Sequence, residues 1–208
     1  KALIKILKEC DKAGGARCRF APGDPVANLD TLMKRLRDQP VDVPDPDGGS
    51  ASVTYSDVVA TLLGMLYTPT GYADIAEFLS DLWIVTEPPA TTARSADPKR
   101  AKAAKAVADS VAENGRDRPT RGFPYQNGLE AFASVTCTDS TETTKRANYP
   151  AYAAQQDDKA PYFGRAWMWS TSICAGNSWT INESDVYTGP FNTQTAAPVL
   201  FIGNYWDP

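Results

Sequence analysis

The sequence predicts a mainly α-helical protein with one small β-hairpin and one C-terminal strand of the kind that parallel sheets bury. Three observations carry that expectation. Apolar residues recur at helical spacing along most of the chain, as in Leu29, Leu32, Met33 and Leu36. Val41 and Val43 alternate with polar residues before the turn signal Asp47-Gly48-Gly49, and Val53 and Tyr55 read as the return strand. Val199 to Ile202 is a continuous apolar run, opened by Pro198 and broken by Gly203. Such a run suits a strand buried on both faces, yet the sequence offers no other strand of that type to pair with it.

Taken in order, Leu3, Ile4 and Leu7 mark a first helix over residues 2–9, with Gly14-Gly15 stopping the run. Cys10 and Cys18 then enclose a short loop stapled to the helix end. Phe20 to Pro25 is a turn, and Asp24 or Asn28 is available to cap the helix of Leu29 to Leu36. After the hairpin, Val58, Val59, Leu62, Leu63 and Leu66 form a helix capped by Ser56. Beyond Thr68-Pro69, Ile75, Phe78, Leu79 and Leu82 form another that ends near Trp83. These three helices are expected to share one apolar face. Glu87 to Asp97 is a Pro/Thr/Ala-rich surface connection, and Pro98 opens an Ala/Lys-rich helix that runs to about Asn114-Gly115. Arg116 to Tyr125 is loop. Helical pattern returns from Tyr149 to Gln156 and from Pro161 to Ser172.

Composition narrows the function classes. Of 208 residues, 22% are charged and 42% hydrophobic, which is ordinary for a soluble globular protein. A net charge of −4 gives no basic footprint for nucleic acid. The cluster Lys99, Arg100, Lys102 and Lys105 reads as a solvated helix face. No apolar run approaches the ~20 residues of a membrane helix. Histidine is absent, and so is any Gly-x-Ser-x-Gly elbow. These residues therefore lack the base that Ser-His-Asp or Cys-His chemistry uses near neutrality. The four cysteines fall along the sequence as two pairs without the Cys-x-x-Cys spacing of zinc or redox sites. Disulfides in an oxidising, extracellular compartment are expected, with no metal and no cofactor. The chain opens at Lys1 in mid-pattern without a signal peptide, which fits processing as well as truncation.

Three motifs carry a family resemblance. Pro198-Val199-Leu200-Phe201-Ile202-Gly203 followed by Asp207-Pro208 resembles the strand-and-acid motif of α/β-hydrolases, more narrowly that of secreted tripeptidyl-aminopeptidase-like serine hydrolases. Upstream, the segment from Ala131 to Cys137-Thr138-Asp139 resembles that family's Ala-Ile-x-Cys-x-Asp motif, with Ser134-Val135 in place of Ala-Ile. The segment from Ser172 through Cys174 to Trp179 resembles its Cys-x-x-Trp segment, lengthened by two residues. The resemblance implies a Cys137–Cys174 bridge. It also implies that residues 1–190 are a helical lid with its flanks, and that residues 191–208 re-enter the core sheet with the triad acid. On this basis the chain is expected to be a segment of a larger serine exopeptidase. The nucleophilic serine would lie upstream of Lys1 and the histidine downstream of Pro208. Short peptides would leave the amino end of a peptide substrate by acyl-enzyme chemistry.

By that resemblance Asp207 is the catalytic acid, orienting the histidine and stabilising the imidazolium. Without it, Asp207-Pro208 is a turn after a surface strand. Asp139 and Glu142 are candidates to hold the substrate's ammonium group. Alternatively, Asp139 caps a helix beginning near Thr141. Asp57, Asp74, Glu77 and Asp81 read as solvated. A competing expectation is a non-enzymatic, disulfide-stapled secreted binding module with Tyr162, Trp167, Trp169, Trp179 and Tyr187 as an aromatic platform. A third keeps the hydrolase but gives it esters or other amides as substrates.

Overall fold

A computed structural model of the chain describes residues 1–68, 71–88, 97–115, 128–139, 145–176, 189–190, 192–200 and 202–203. It is mainly helical, with one two-stranded antiparallel sheet. The chain divides into two compact units, the first built on Lys1–Asp117 and the second on Arg118–Gly203.

In the first unit, α1 (Ala2–Ala13) buries Leu3, Leu7 and Cys10, and Gly14 closes it with a φ of 72° that only glycine adopts without strain. The Gly14 carbonyl accepts the Cys18 N–H at 2.9 Å, which tightens the loop that the Cys10–Cys18 disulfide spans. α2 (Pro25–Asp38) starts with proline in its first turn. Of the two candidate caps, Asp24 is the one used: its Oδ1 accepts the Val26 and Ala27 N–H groups at 2.9 and 3.2 Å. Asn28 instead donates to the Pro22 carbonyl.

The hairpin pairs β1 (Val41–Pro44) with β2 (Ser50–Val53), and Val41 lies opposite Val53. Only Val43 and Val53 are buried, as expected of a ribbon with one face on the core. Tyr55 is not part of the return strand, because the next helix has already begun. α3 (Tyr55–Leu66) is capped by Thr54 and not by Ser56. The Thr54 Oγ1 accepts the Asp57 N–H, while the Asp57 carboxylate accepts the Thr54 N–H at 2.8 Å. This reciprocal box satisfies two end groups, whereas Ser56, one turn position too late, would satisfy none. Asp57 is therefore a structural carboxylate and not a solvated one.

α4 (Gly71–Thr86) packs against α1, α2, α3 and α5. Ile75, Phe78, Leu79, Leu82 and Val85 are buried, and Ser80 satisfies its hydroxyl on the Ala76 carbonyl. Gly71 permits the tight passage from α3, since a Cβ there would lie 2.3 Å from the Met65 carbonyl oxygen. α5 (Pro98–Gly115) is capped by Asp97 and buries Ala103, Ala104, Val107 and Ala108. Arg100 departs from the expected solvated cluster. Its guanidinium donates to the Ile84, Val85 and Glu87 carbonyls and so caps the C-terminal end of α4.

In the second unit, α6 (Gly128–Asp139) is joined to a 3₁₀ turn at Thr171–Cys174 by the Cys137–Cys174 disulfide, Cα–Cα 5.1 Å. α7 (Tyr149–Lys159) packs on α8 (Gly164–Ser170), where Gly164 sits so close that a Cβ would lie 2.1 Å from the Gln156 carbonyl oxygen. Tyr149 is fully buried, stacks at a tilt on Trp169, and donates its hydroxyl to the Thr171 carbonyl at 2.9 Å.

In the C-terminal run no described residue is paired into a sheet. Val199, Leu200 and Ile202 are 57%, 82% and 88% exposed and have no ladder partner among the described residues. A strand exists through the hydrogen bonds of its neighbour, and no described segment supplies one.

All four cysteines are bridged, so denatured, unreduced protein should show no thiol to a titrating reagent. Two reactive thiols per chain would contradict the pairing, and removing either bridge should cost ~2–5 kcal/mol in denaturant unfolding. For the capping box, Thr54→Ala should lower unfolding free energy by ~1 kcal/mol while Ser56→Ala stays within ~0.5 kcal/mol. The reverse order would mean that the cap has been misplaced.

Candidate functional site

Of the residues expected to carry the chemistry, Asp139 alone falls among the described residues. Glu142 and Asp207 lie outside the described residues, as do Trp179 and Tyr187. Asp139 is the last residue of α6, exposed, two positions beyond the half of the disulfide that fixes this helix end. It stands at the C-terminus of one helix, and the start of the next, near Thr141, is outside the described residues. A carboxylate in that place sits beside the last carbonyls of the helix and the negative end of its dipole. Both features favour a cation at the spot, and α6 itself carries no basic residue.

Trp167 and Trp169 are each about two-fifths exposed. Two positions apart on α8, they face roughly opposite directions and do not make one flat platform. Among the described residues no cluster of three or more Cys, Asp or Glu side chains is arranged to hold a metal ion. No described helix is long and apolar enough to cross a membrane.

Two clefts lie among the described residues of the first unit. A cleft of about 580 Å³ runs between α1 and α4 beside the Cys10–Cys18 loop. Ala2, Ile6, Ala13, Tyr72, Ala73 and Ala76 line it with apolar surface, and Lys5, Glu9, Arg17 and Glu77 stand on its rim. Glu9 lies between Lys5 at 2.7 Å and Lys12 at 3.1 Å. Hydrogen bonds from Lys5, and then from Lys12, hold its carboxyl below the usual carboxylate range. Glu77 and Asp81, read from sequence as solvated, both pair with Arg19, the second at 3.0 Å. Those pairs tie the disulfide loop to α4, and the hydrogen bond to Glu77 is the main reason that the guanidinium holds its proton more firmly than usual.

Arg19 also lines a second cleft of about 410 Å³ with Phe20, Ser80 and Trp83. There the Trp83 ring meets the edge of Phe20 and carries the Arg35 guanidinium 4.2 Å from its centroid. The ring face offsets part of the desolvation of Arg35, whose Nη1 is buried without a hydrogen-bond partner among the described residues.

The α1–α4 cleft was not predicted. Its one signal in the sequence is the small side chains at Ala2, Ala13, Ala73 and Ala76, which leave room between two helices that otherwise read as ordinary core formers. Compared with known proteins, the chain matches no family model, no curated protein and no solved structure.

The Glu9 pairing sets a pH dependence. A carboxylate whose folded pKa is lowered contributes stability above its unfolded pKa and loses it as the pH falls through the folded value. Thermal unfolding of Glu9→Gln should therefore start below the native protein at neutral pH and converge with it in strong acid. The gap should also shrink in high salt, because the pairs are exposed. A gap that persists unchanged into strong acid would sink the pairing.

Proposed function

We propose that this chain is the lid-bearing segment of a secreted serine exopeptidase of the α/β-hydrolase type, which releases short peptides from the amino end of its substrates. The observation that carries the reading is the Cys137–Cys174 bridge. It joins cysteines 37 positions apart, in the pairing that the motif resemblance implies. The largely helical, doubly bridged architecture before Pro198 suits a lid. The exposed apolar run at Val199, Leu200 and Ile202 suits a strand whose partners belong to a core sheet outside this sequence.

In this reading the chain contributes two chemical groups. Asp207 accepts a hydrogen bond from one nitrogen of a histidine downstream of Pro208. It fixes the tautomer, and it stabilises the imidazolium formed when the histidine takes the proton of a serine upstream of Lys1. Asp139, with Glu142 close in sequence, receives the substrate's ammonium group. A carboxylate at a helix C-terminus is suited to that task. The alternative of a binding module draws on one observation, the apolar α1–α4 cleft, which has the size of a small-molecule site.

In the whole enzyme, Asp207→Asn should lower kcat by about 10⁴-fold and leave KM nearly unchanged, since the amide cannot hold the active tautomer. Asp139→Asn should raise KM for substrates with a free amino terminus and leave N-blocked substrates alone. Near-normal turnover of a correctly folded Asp207→Asn enzyme would overturn the assignment.

A further inference from the structure

The cleft between α1 and α4 contains none of the residues assigned to peptide hydrolysis, and its chemistry selects a different ligand. Its lining includes the buried Ala2 and Ala76, the exposed Ala73 and Tyr72, and the half-buried Ile6. Four alanines on two crossing helices leave about 580 Å³ unfilled, within the ~300–1,000 Å³ of small-molecule sites. Carbohydrate or nucleotide would find few free polar groups on such a lining, whereas an alkyl chain would displace water from apolar surface alone.

The rim decides the head group. Glu9 is held by Lys5 and Lys12, a trio that keeps one positive charge, and Arg19 is shared between Glu77 and Asp81, a trio that keeps one negative charge. Arg17 is different: its Nε donates to the Ala13 carbonyl at 3.3 Å, and no described carboxylate pairs with it. The two trios offset each other, and the rim cation that no described carboxylate holds is the exposed Arg17 guanidinium, whose planar fork matches a carboxylate.

We propose that the α1–α4 cleft binds an alkyl carboxylate, with its chain over Ala73 and Ala76 and its head on the Arg17 guanidinium. The assignment does not depend on the hydrolase reading, because it uses only this chain's first compact unit.

Calorimetric titration of the full chain with decanoate, decanol and decyltrimethylammonium, all below their aggregation limits, tests it. Decanoate should bind saturably, decanol more weakly, and the ammonium compound weakest of the three. Arg17→Glu should weaken decanoate at least ~10-fold while moving decanol by less than ~2-fold, as expected for the loss of one charge-assisted contact. Ala73→Trp should weaken both by filling the cleft. Both positions are exposed, so unchanged thermal unfolding of the two variants would show that the fold is intact. A variant that unfolds early is replaced by Arg17→Gln or Ala73→Phe. Absence of saturable decanoate binding would overturn the proposal. So would equal affinity for the ammonium compound, or decanoate binding that Ala73→Trp leaves unchanged.

Discussion

The first unit depends on the burial of α4. A helix at a domain surface needs one apolar stripe, but α4 buries Ile75, Ala76, Phe78, Leu79, Leu82 and Val85, positions that wrap much of its circumference. It can do so because α1, α2, α3 and α5 all pack against it. The other helices then need only one apolar face each, and two of the carboxylates on α4, Glu77 and Asp81, pair with Arg19. Leu79 and Leu82 are wholly removed from solvent, so truncating either would leave a cavity that several elements share.

Periodicity made much of this legible. The spacing of Leu29, Leu32, Met33 and Leu36 located α2, and all four are buried. Ile75, Phe78, Leu79 and Leu82 did the same for α4. The hairpin was readable because Asp47-Gly48-Gly49 is a turn that backbone sterics nearly dictate, with both glycines at positive φ. Ends were harder, because capping is decided by single hydrogen bonds. Thr54 and Ser56 are chemically alike, and only the reach from Thr54 to Asp57 selects the first. Arg100 was misread for a related reason. A cation in a basic run looks solvated until the carbonyls of a neighbouring helix end arrive beside it.

The C-terminal run marks the opposite limit. Val199 to Ile202 has a strand's composition, but composition supplies only the side chains of a strand. The backbone needs a neighbour. Among the described residues the run stays exposed and unpaired. The candidate site was less legible than the fold. Asp139 was singled out for its motif, and its place at a helix C-terminus lends the carboxylate a physical role that the motif did not contain. The α1–α4 cleft had almost no signal, since a gap is made by atoms that alanine lacks.

The Arg100 contact with the end of α4 separates connection from cohesion. The chain between Pro88 and Asp97 covalently joins α4 to α5, but the guanidinium on the Ile84, Val85 and Glu87 carbonyls, with the Asp97 cap, already fixes both ends of that span. The hold of α5 on the end of α4 therefore runs through side-chain donors and backbone carbonyls and does not rely on the covalent path between the two helices.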